Sequence, residues 1–434
     1  MILTLNQRRN TFAGAIGNAI EFYDFIVYAY LAHYFASQFF PSDDPVTGLI
    51  ASYGGFAAGM LMRPLGGVLI GSIGDKIGRK MALQISVLMI SLPTFIIGFL
   101  PTYDAIGLWA PILLLLMRLV QGLSVGGAYS AAIVFLVERA QPKNRGLFGS
   151  FSPLGAMLGL LLGSLVTFMC TLGLGEEIMK EWGWRVPFIG SILLMLLGIW
   201  LRTKIAPDHV VKSESTPSPV LDAFKMYWRQ MLSIGLGNTM TGAMSFIGFM
   251  YAVPWMVLQG NISSTLAFSV NLASLALCCV MIIVGGILSD KIGRVKTVII
   301  GALIALFGAW PAFLFFKSGS LPLMLIGSLI LGTAHGLFCG PFCACMASIV
   351  PKKVRVTVIA FGYSFSVGIF GGLAPMLTEY LVGKLHIVMA PAIVIMTTAA
   401  VSLLALLLDP VWRKNNERFP EDSSDKSFVN MAHT

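Results

Sequence analysis

Residues Gly71–Lys80 read GSIGDKIGRK, and residues Gly286–Val295 read GILSDKIGRV. Six positions agree in register, at an offset of 215 residues in a chain of 434: Gly71/Gly286, Asp75/Asp290, Lys76/Lys291, Ile77/Ile292, Gly78/Gly293 and Arg79/Arg294. Each string is a short polar link between long apolar runs. A string that recurs half a chain later, at the same place in the surrounding pattern, marks an internal duplication.

The apolar runs define the duplicated unit. A helix needs about 20 apolar residues to cross the hydrocarbon core of a bilayer. Such runs fall near 11–35, 46–73, 81–100, 107–137, 146–172 and 186–201, and again near 231–257, 264–288, 297–316, 321–349, 355–382 and 387–408. Strands of an outer-membrane barrel would instead alternate over about ten residues. The expected fold is therefore all-α and integral to the membrane, with twelve transmembrane helices in two pseudo-symmetric six-helix bundles. The bundles are expected at 1–201 and 229–408, joined by a polar cytoplasmic linker at 202–228 that holds Ser213, Ser215, Pro217, Ser218 and Pro219. A charged tail follows at 409–434. Duplicated helical units of this kind build carriers that work by alternating access.

Composition agrees. The chain is 56% hydrophobic and 11% charged, against about 25% charged in soluble domains. That excludes a soluble enzyme, a nucleic-acid binder and a disordered scaffold. The excess of 29 Lys+Arg over 20 Asp+Glu is a matter of orientation, not of an anionic partner. With the N-terminus cytoplasmic, 23 of the 29 basic residues fall on the cytoplasmic side and Lys180, Arg185, Lys317 and Lys384 on the outer side; Arg63 and Arg118 stay inside spans. The positive-inside rule then places both termini in the cytoplasm. Arg8-Arg9 anchors that topology, since the following run is too long for a signal sequence and contains Glu21 and Asp24. The six cysteines lie in apolar stretches and read as buried thiols. No nucleotide-binding string, metal-ligand spacing or cofactor motif is present, so an ion gradient is the expected energy source and no catalytic or metal residue is assigned.

The repeated loop is the hallmark of the major facilitator superfamily, and further strings resemble its metabolite:proton symporter branch. They are GNAIEFYDFIVY (Gly17–Tyr28), MRPLGGVLIGSIGDKIGRK (Met62–Lys80), RLVQGLSVGG (Arg118–Gly127), ERAQPKNRG (Glu138–Gly146), WGWRVPF (Trp182–Phe188) and FGGLAP (Phe370–Pro375). The branch includes proline/betaine osmolyte carriers and carriers of α-ketoglutarate, citrate and shikimate. The resemblance implies a bacterial inner-membrane, multi-pass carrier, expected to be monomeric, with a small polar solute, protons and the lipid bilayer as partners. It also implies that the two loops latch the inward gate, with Asp75 and Asp290 on helix N-termini and Arg79, Arg294, Arg139 and Arg145 as partners. The chain departs from the family pattern at Ala128, where a Glu is usual, at Ser364, where an Asn is usual, near Ser348, and across Lys204–Val210. The substrate is therefore not copied from a typical member.

Charges inside the membrane need a reason, because each costs about 2.5–3.5 kcal/mol at mid-bilayer on insertion scales. At a rise of 1.5 Å per residue, Glu21, Asp24, Arg63 and Arg118 all fall about 15–20 Å deep, near the midplane where such carriers bind cargo. Glu21, Asp24 and Tyr28 share a helix face. Two close carboxylates in a low dielectric cannot both ionise cheaply, which suits proton coupling, and static pairing with the two arginines is the structural alternative. Arg118, Gln121, Tyr28, Asn238, Thr241 and Tyr363 are the candidate cargo contacts, while Arg63 reads as structural or gating. Ser245, Asn271 and His335 read as interhelical hydrogen-bonding groups, and Glu379, near the outer end of its span, as reaching water. The function expected is proton-coupled uptake of an organic acid or zwitterionic osmolyte. Its rivals are an importer of a citrate-derived chelator, a proton-driven efflux antiporter and a non-transporting sensor.

Overall fold

The computed structural model describes residues 5–204 and 219–414, apart from Gly78, Gly126, Gly127 and Lys353; the side chains of some helical residues, 74–80 among them, also lie outside the description. Every element among the described residues is helical. The first half comprises α1 (Leu5–Phe39), α2 (Pro45–Leu61 and Arg63–Ile77), α3 (Arg79–Ile97), α4 (Trp109–Ser124 and Ala128–Arg139), α5 (Arg145–Leu174) and α6 (Arg185–Lys204). The second comprises α7 (Pro219–Gly237, Thr239–Ala243, Met244–Tyr251 and Ala252–Gly260), α8 (Ser264–Ile292), α9 (Arg294–Lys317), α10 (Leu321–Ser348), α11 (Arg355–Ser366, Val367–Gly371 and Leu373–Gly383) and α12 (Ala390–Leu408). Nine stretches among the described residues are long and apolar enough to span a bilayer, and α6 with the segment Glu176–Gly183, bent by 67°, makes a tenth. The other two are α1, 35 residues long but interrupted by Glu21 and Asp24, and α3, whose apolar stretch is Gln84–Ile97. Of the expected linker, 205–218 lie outside the described residues. The helix Pro219–Gly237 begins within it and kinks at Tyr227 (φ −122°, ψ 19°).

Local chemistry sets the breaks. Asp44 caps α2, its carboxylate accepting the Val46 N–H at 3.0 Å, with Pro45 at the first helical position. Ser263 caps α8 by accepting the Leu266 N–H at 3.4 Å. Gly293, at φ +104°, separates α8 from α9. That backbone is open to glycine and strained for other residues, so one of the repeated residues in GILSDKIGRV answers a steric demand of the turn.

Close helix packing sets the position of the interior charges. A Cβ on Gly122 of α4 would stand 1.9 Å from the Gly59 carbonyl oxygen of α2, and one on Gly59 would stand 2.8 Å from the Arg118 carbonyl oxygen. The two backbones touch, which delivers Arg118 to the centre of the first half. Gly159 and Gly163 let α5 approach α1 in the same way, facing the Ala19 carbonyl at 2.5 Å and Ile26 at 2.9 Å. Between the halves, α5 lies on α8 and α2 on α11. Leu193, Phe307 and Leu404 point outward and are exposed, the surface that lipid covers.

Gly122→Ala should therefore cost about 1–3 kcal/mol by overpacking, seen as a lower melting temperature in detergent. Gly198→Ala, whose added methyl would meet ordinary contacts at 3.5 Å or more, should melt as the parent does.

Candidate functional site

The four midplane charges are buried together: Glu21, Asp24, Arg63 and Arg118 are each 2% exposed or less. They do not sort into two carboxylate–arginine pairs of equal standing. Asp24 accepts a hydrogen bond from the Ser91 hydroxyl of α3, and its other carboxylate oxygen has no hydrogen-bond partner among the described residues. Arg118 donates to Gln121 Oε1 at 2.6 Å and to the Phe25 carbonyl at 3.3 Å, and its guanidinium lies over the Tyr28 ring at 4.2 Å and the Phe25 ring at 4.4 Å. Gln121 in turn donates to the Thr94 hydroxyl at 2.6 Å. Arg118 is thus held by neutral groups and ring faces, with Gln121, Thr94 and Ser91 set between it and Asp24. Tyr28 donates to the Ser52 carbonyl at 3.0 Å. These contacts turn Arg118, Gln121 and Tyr28 into a packed polar layer beside the central space.

Two pockets occupy that space. One is lined by Glu21 and Arg63 with Phe22, Phe25, Met60 and Phe246 and is tightly closed. The other has walls of Phe22, Tyr129, Thr241, Phe246, Cys339 and Tyr363 among others, with room for about one water molecule. Phe22 and Phe246 border both. Tyr129 and Tyr363 stack across the halves with centroids 4.6 Å apart and planes 26° apart. Arg63 sits 5.8 Å from the Phe22 centroid and 5.9 Å from that of Tyr363. The arginine on the pocket wall is therefore Arg63, which the sequence assigned to structure or gating, and not Arg118.

The second-half candidates divide likewise. Thr241 and Tyr363 face the second pocket, and the Thr241 hydroxyl has no hydrogen-bond partner among the described residues. Asn238 is buried at the break between two α7 segments, its side-chain amide nitrogen without a partner, and it lines neither pocket. Asn271 of α8 donates to Ser164 Oγ at 2.9 Å and to Tyr30 Oη at 3.2 Å, tying the halves together as an interhelical node. Ser245 lies 3.4 Å from His335 Nε2. Phe22, Tyr129 and Phe246 were not singled out in the sequence, because an aromatic on an apolar helix carries no mark until its neighbours are known.

The two ends of this space are closed by contacts between the halves. At the end that carries the repeated loops, Asp290 accepts the Gly146 N–H at 2.8 Å and the Leu147 N–H at 2.9 Å, the first turn of α5. This is a carboxylate on a helix N-terminus, where the unsatisfied donors and the dipole favour it. Gly146 is required there, since a Cβ would fall 2.1 Å from Ser289 Oγ. Arg294 donates to the Pro142 carbonyl at 3.2 Å. Arg139 is exposed with its guanidinium over Phe135 at 4.0 Å, and Arg145 opens α5 beside Gly146. The expected partners Asp75 and Arg79 lie outside the described side chains. An additional ion pair crosses the halves, Arg355 to Glu138 at 2.6 Å. At the opposite end, Lys384 is paired with Asp44, and Glu176 accepts the Ser264 N–H of α8 at 3.2 Å. Sequence alone offered no register between loops of different halves, so neither pairing was legible there.

Comparison with known proteins places this geometry. The family model described as Major Facilitator Superfamily matches residues 14–366 and 235–430. A glycine betaine/proline/ectoine/pipecolic acid transporter of Dickeya dadantii is 34% identical over 417 residues, covering 92% of this chain and 82% of that protein. A proline/betaine transporter of Escherichia coli K12 is 33% identical over the same coverage. An ectoine/proline transporter of Corynebacterium glutamicum is 31% identical, covering 90% of this chain and 82% of that protein. Among solved structures, a proton:xylose symporter bound to 6-bromo-6-deoxy-D-glucose superimposes with a TM-score of 0.71 at 16% identity, covering 95% of this chain and 98% of that one. At that identity the likeness is one of fold.

Two outcomes test the closures. Asp290→Ala removes two charge-assisted hydrogen bonds worth about 1.5–3 kcal/mol each at most. It should raise labelling of a Ser150→Cys thiol on α5 from the cytoplasmic side about tenfold or more at fixed pH. Outside, the Lys384 ammonium and the Val46 N–H hold the Asp44 carboxyl below the usual aspartate range. A depressed value means that the latch is complete above the ordinary aspartate pKa of about 3.9 and is lost as the pH falls through the depressed one. Lys384→Met should return the Asp44 carboxyl toward the ordinary range in a site-labelled carbon-13 titration.

Proposed function

The chain belongs to the major facilitator superfamily, and from that premise we propose that it is a proton-coupled symporter that takes up a small zwitterionic osmolyte by alternating access. It is a transporter and not an enzyme. The observation that carries the reading is the pairing of two unlike pockets across Phe22 and Phe246: Glu21 and Arg63 on one side, stacked phenol rings on the other. Proline, glycine betaine and ectoine, the cargo in the names of the relatives, each join a carboxylate to a cationic nitrogen. A cationic nitrogen is attracted to ring faces, by about 2 kcal/mol or more when desolvated, and Phe22, Tyr129 and Tyr363 offer such faces. Arg63 already leans over two of these rings, and a cargo carboxylate is its natural partner.

Coupling then follows from the competition for Arg63. When the cargo carboxylate takes Arg63, an ionised Glu21 loses its counter-charge in a site closed to water, a costly state. Binding a proton removes that cost, so proton and cargo are carried in together. Asp24, held by Ser91 on the same helix face, is the second proton acceptor. Thr241 and Tyr363 contact the cargo, and Arg118, Gln121 and Tyr28 hold the acid-bearing helix in register. The halves 1–201 and 229–408 rock about this point, with both termini on the cytoplasmic side of a bacterial inner membrane and the carrier acting as a monomer. An organic acid without a cationic group would use Arg63 alone and leave the ring faces idle. A polycarboxylate would meet one available arginine and is a poorer fit.

In proteoliposomes, an outside-acid gradient should drive accumulation of proline or glycine betaine over a dicarboxylate such as α-ketoglutarate. Glu21→Gln should reduce that accumulation more than about tenfold, roughly 1.4 kcal/mol of coupling, while exchange of labelled for unlabelled cargo continues. Accumulation without dependence on the gradient, or unchanged by Glu21→Gln, sinks the proposal.

A further inference from the structure

Beneath the Asp44–Lys384 latch lies a carboxylate that the coupling scheme above does not use. Glu379 stands on the outer segment of α11, five residues before Lys384, about 7 Å deeper along the helix. It is 4% exposed, more enclosed than its position in the sequence suggested. Its Oε2 accepts a hydrogen bond from the Tyr251 hydroxyl of α7 at 2.7 Å. The Tyr251 ring meets the Tyr53 ring of α2 edge-on, with centroids 5.9 Å apart. Tyr53 belongs to the other half, is fully buried, and its hydroxyl has no hydrogen-bond partner among the described residues. The seam between the halves thus closes directly over Glu379.

Among the described residues no cation balances it. The outer segment of α11 packs on α2, on the Met244–Tyr251 segment of α7 and on α12. The titratable groups on those elements are Tyr53 and Tyr251; the Ala390–Leu408 segment of α12 has none. On its own segment the other titratable side chain is Tyr380, which is exposed. At the mouth, Lys384 is engaged by Asp44. An ionised carboxylate sealed among aromatic rings with one phenol hydrogen bond is expensive, and the same group in a wet, open seam is not. Closing the seam and protonating Glu379 are therefore linked events.

We propose that Glu379 is a second proton-binding site, which takes a proton from the outer solution as the outer seam closes over Tyr53 and Tyr251 and holds that seam open when ionised. The step balances as a proton moving from the outer aqueous phase to a Glu379 carboxylate oxygen, with no other bond changed. This deepens the proton-coupled reading by adding a carboxylate in the second half. Its test needs neither cargo nor gradient, so the two ideas fail separately.

Spin labels at Asp43→Cys and Leu385→Cys, in the outer loops of the two halves, report the width of the seam in the full-length carrier. Between pH 5.5 and pH 8.5 the distance distribution should gain a longer component as the pH rises. Glu379→Gln, which keeps the size and the acceptor for Tyr251, should stay in the short component throughout. Glu379→Asp should recover the pH response with a shifted midpoint, which separates loss of the proton site from loss of the fold. A Glu379→Gln carrier that widens with pH as the parent does overturns the proposal, as does a Glu379→Asp carrier that no longer responds. A parent that responds while cargo uptake ignores the proton gradient keeps Glu379 as a proton site and removes the symport reading instead.

Discussion

Everything in this molecule is arranged around the cost of placing charge where there is no water. Four charged side chains lie at the midplane, and none is left against lipid: each is buried between helices of the first half or on the wall of the central space. That demand explains why α2 and α4 meet backbone to backbone at Gly59 and Gly122. A larger residue there would push Arg118 away from the ring faces and carbonyl that replace its water. It also explains why the neighbours of Arg118 and Asp24 are neutral, Gln121 bonded to Thr94 on one side and Ser91 to Asp24 on the other. A direct Arg118–Asp24 pair would fix the carboxylate as a permanent anion, whereas a hydroxyl donor suits either protonation state.

The same cost organises the boundary between the halves. The ends are closed by groups at their margins, Asp290 on the α5 N-terminus at one end and Asp44 with Lys384 at the other. The middle is closed by rings, Tyr129 on Tyr363 and Phe56 on Phe246. Polar latches at the rims can be exchanged for water with little net loss. A seam made this way is separable, while the interior of each half, tied by interlocking glycines and hydrogen bonds, is not.

What was legible in the sequence follows the same division. Span positions, the duplication and the depth of the four charges depend on local pattern, and helical spacing was enough to put Glu21, Asp24 and Tyr28 on one face. The assignment of Arg63 and Arg118 was not accessible by that route, since it turns on which way α2 and α4 rotate about their glycine contact. Tyr129 and Phe246 are ordinary aromatics until the opposing half is in place. Glu379 looked like an interfacial acid because depth along α11 says nothing of what α2 lays over it.

The strength of the two rims also bears on how a carrier of this build can work. Alternating access requires that the inward- and outward-facing states differ by only a few kcal/mol, or one of them would not be populated. A single strong latch on one side would freeze the cycle. Inside, Asp290 contributes hydrogen bonds from two backbone donors and Arg355–Glu138 a partly buried ion pair. At the opposite rim, the Asp44–Lys384 pair is exposed and screened by solvent, so it contributes little. The outer rim is the weaker by this comparison unless something below it contributes to closure. A neutral Glu379 under Tyr53 and Tyr251 is such a contribution, and one that disappears when the carboxylate ionises. The imbalance between the rims is thereby made to depend on the outer proton concentration, the quantity that a proton-driven importer has to read.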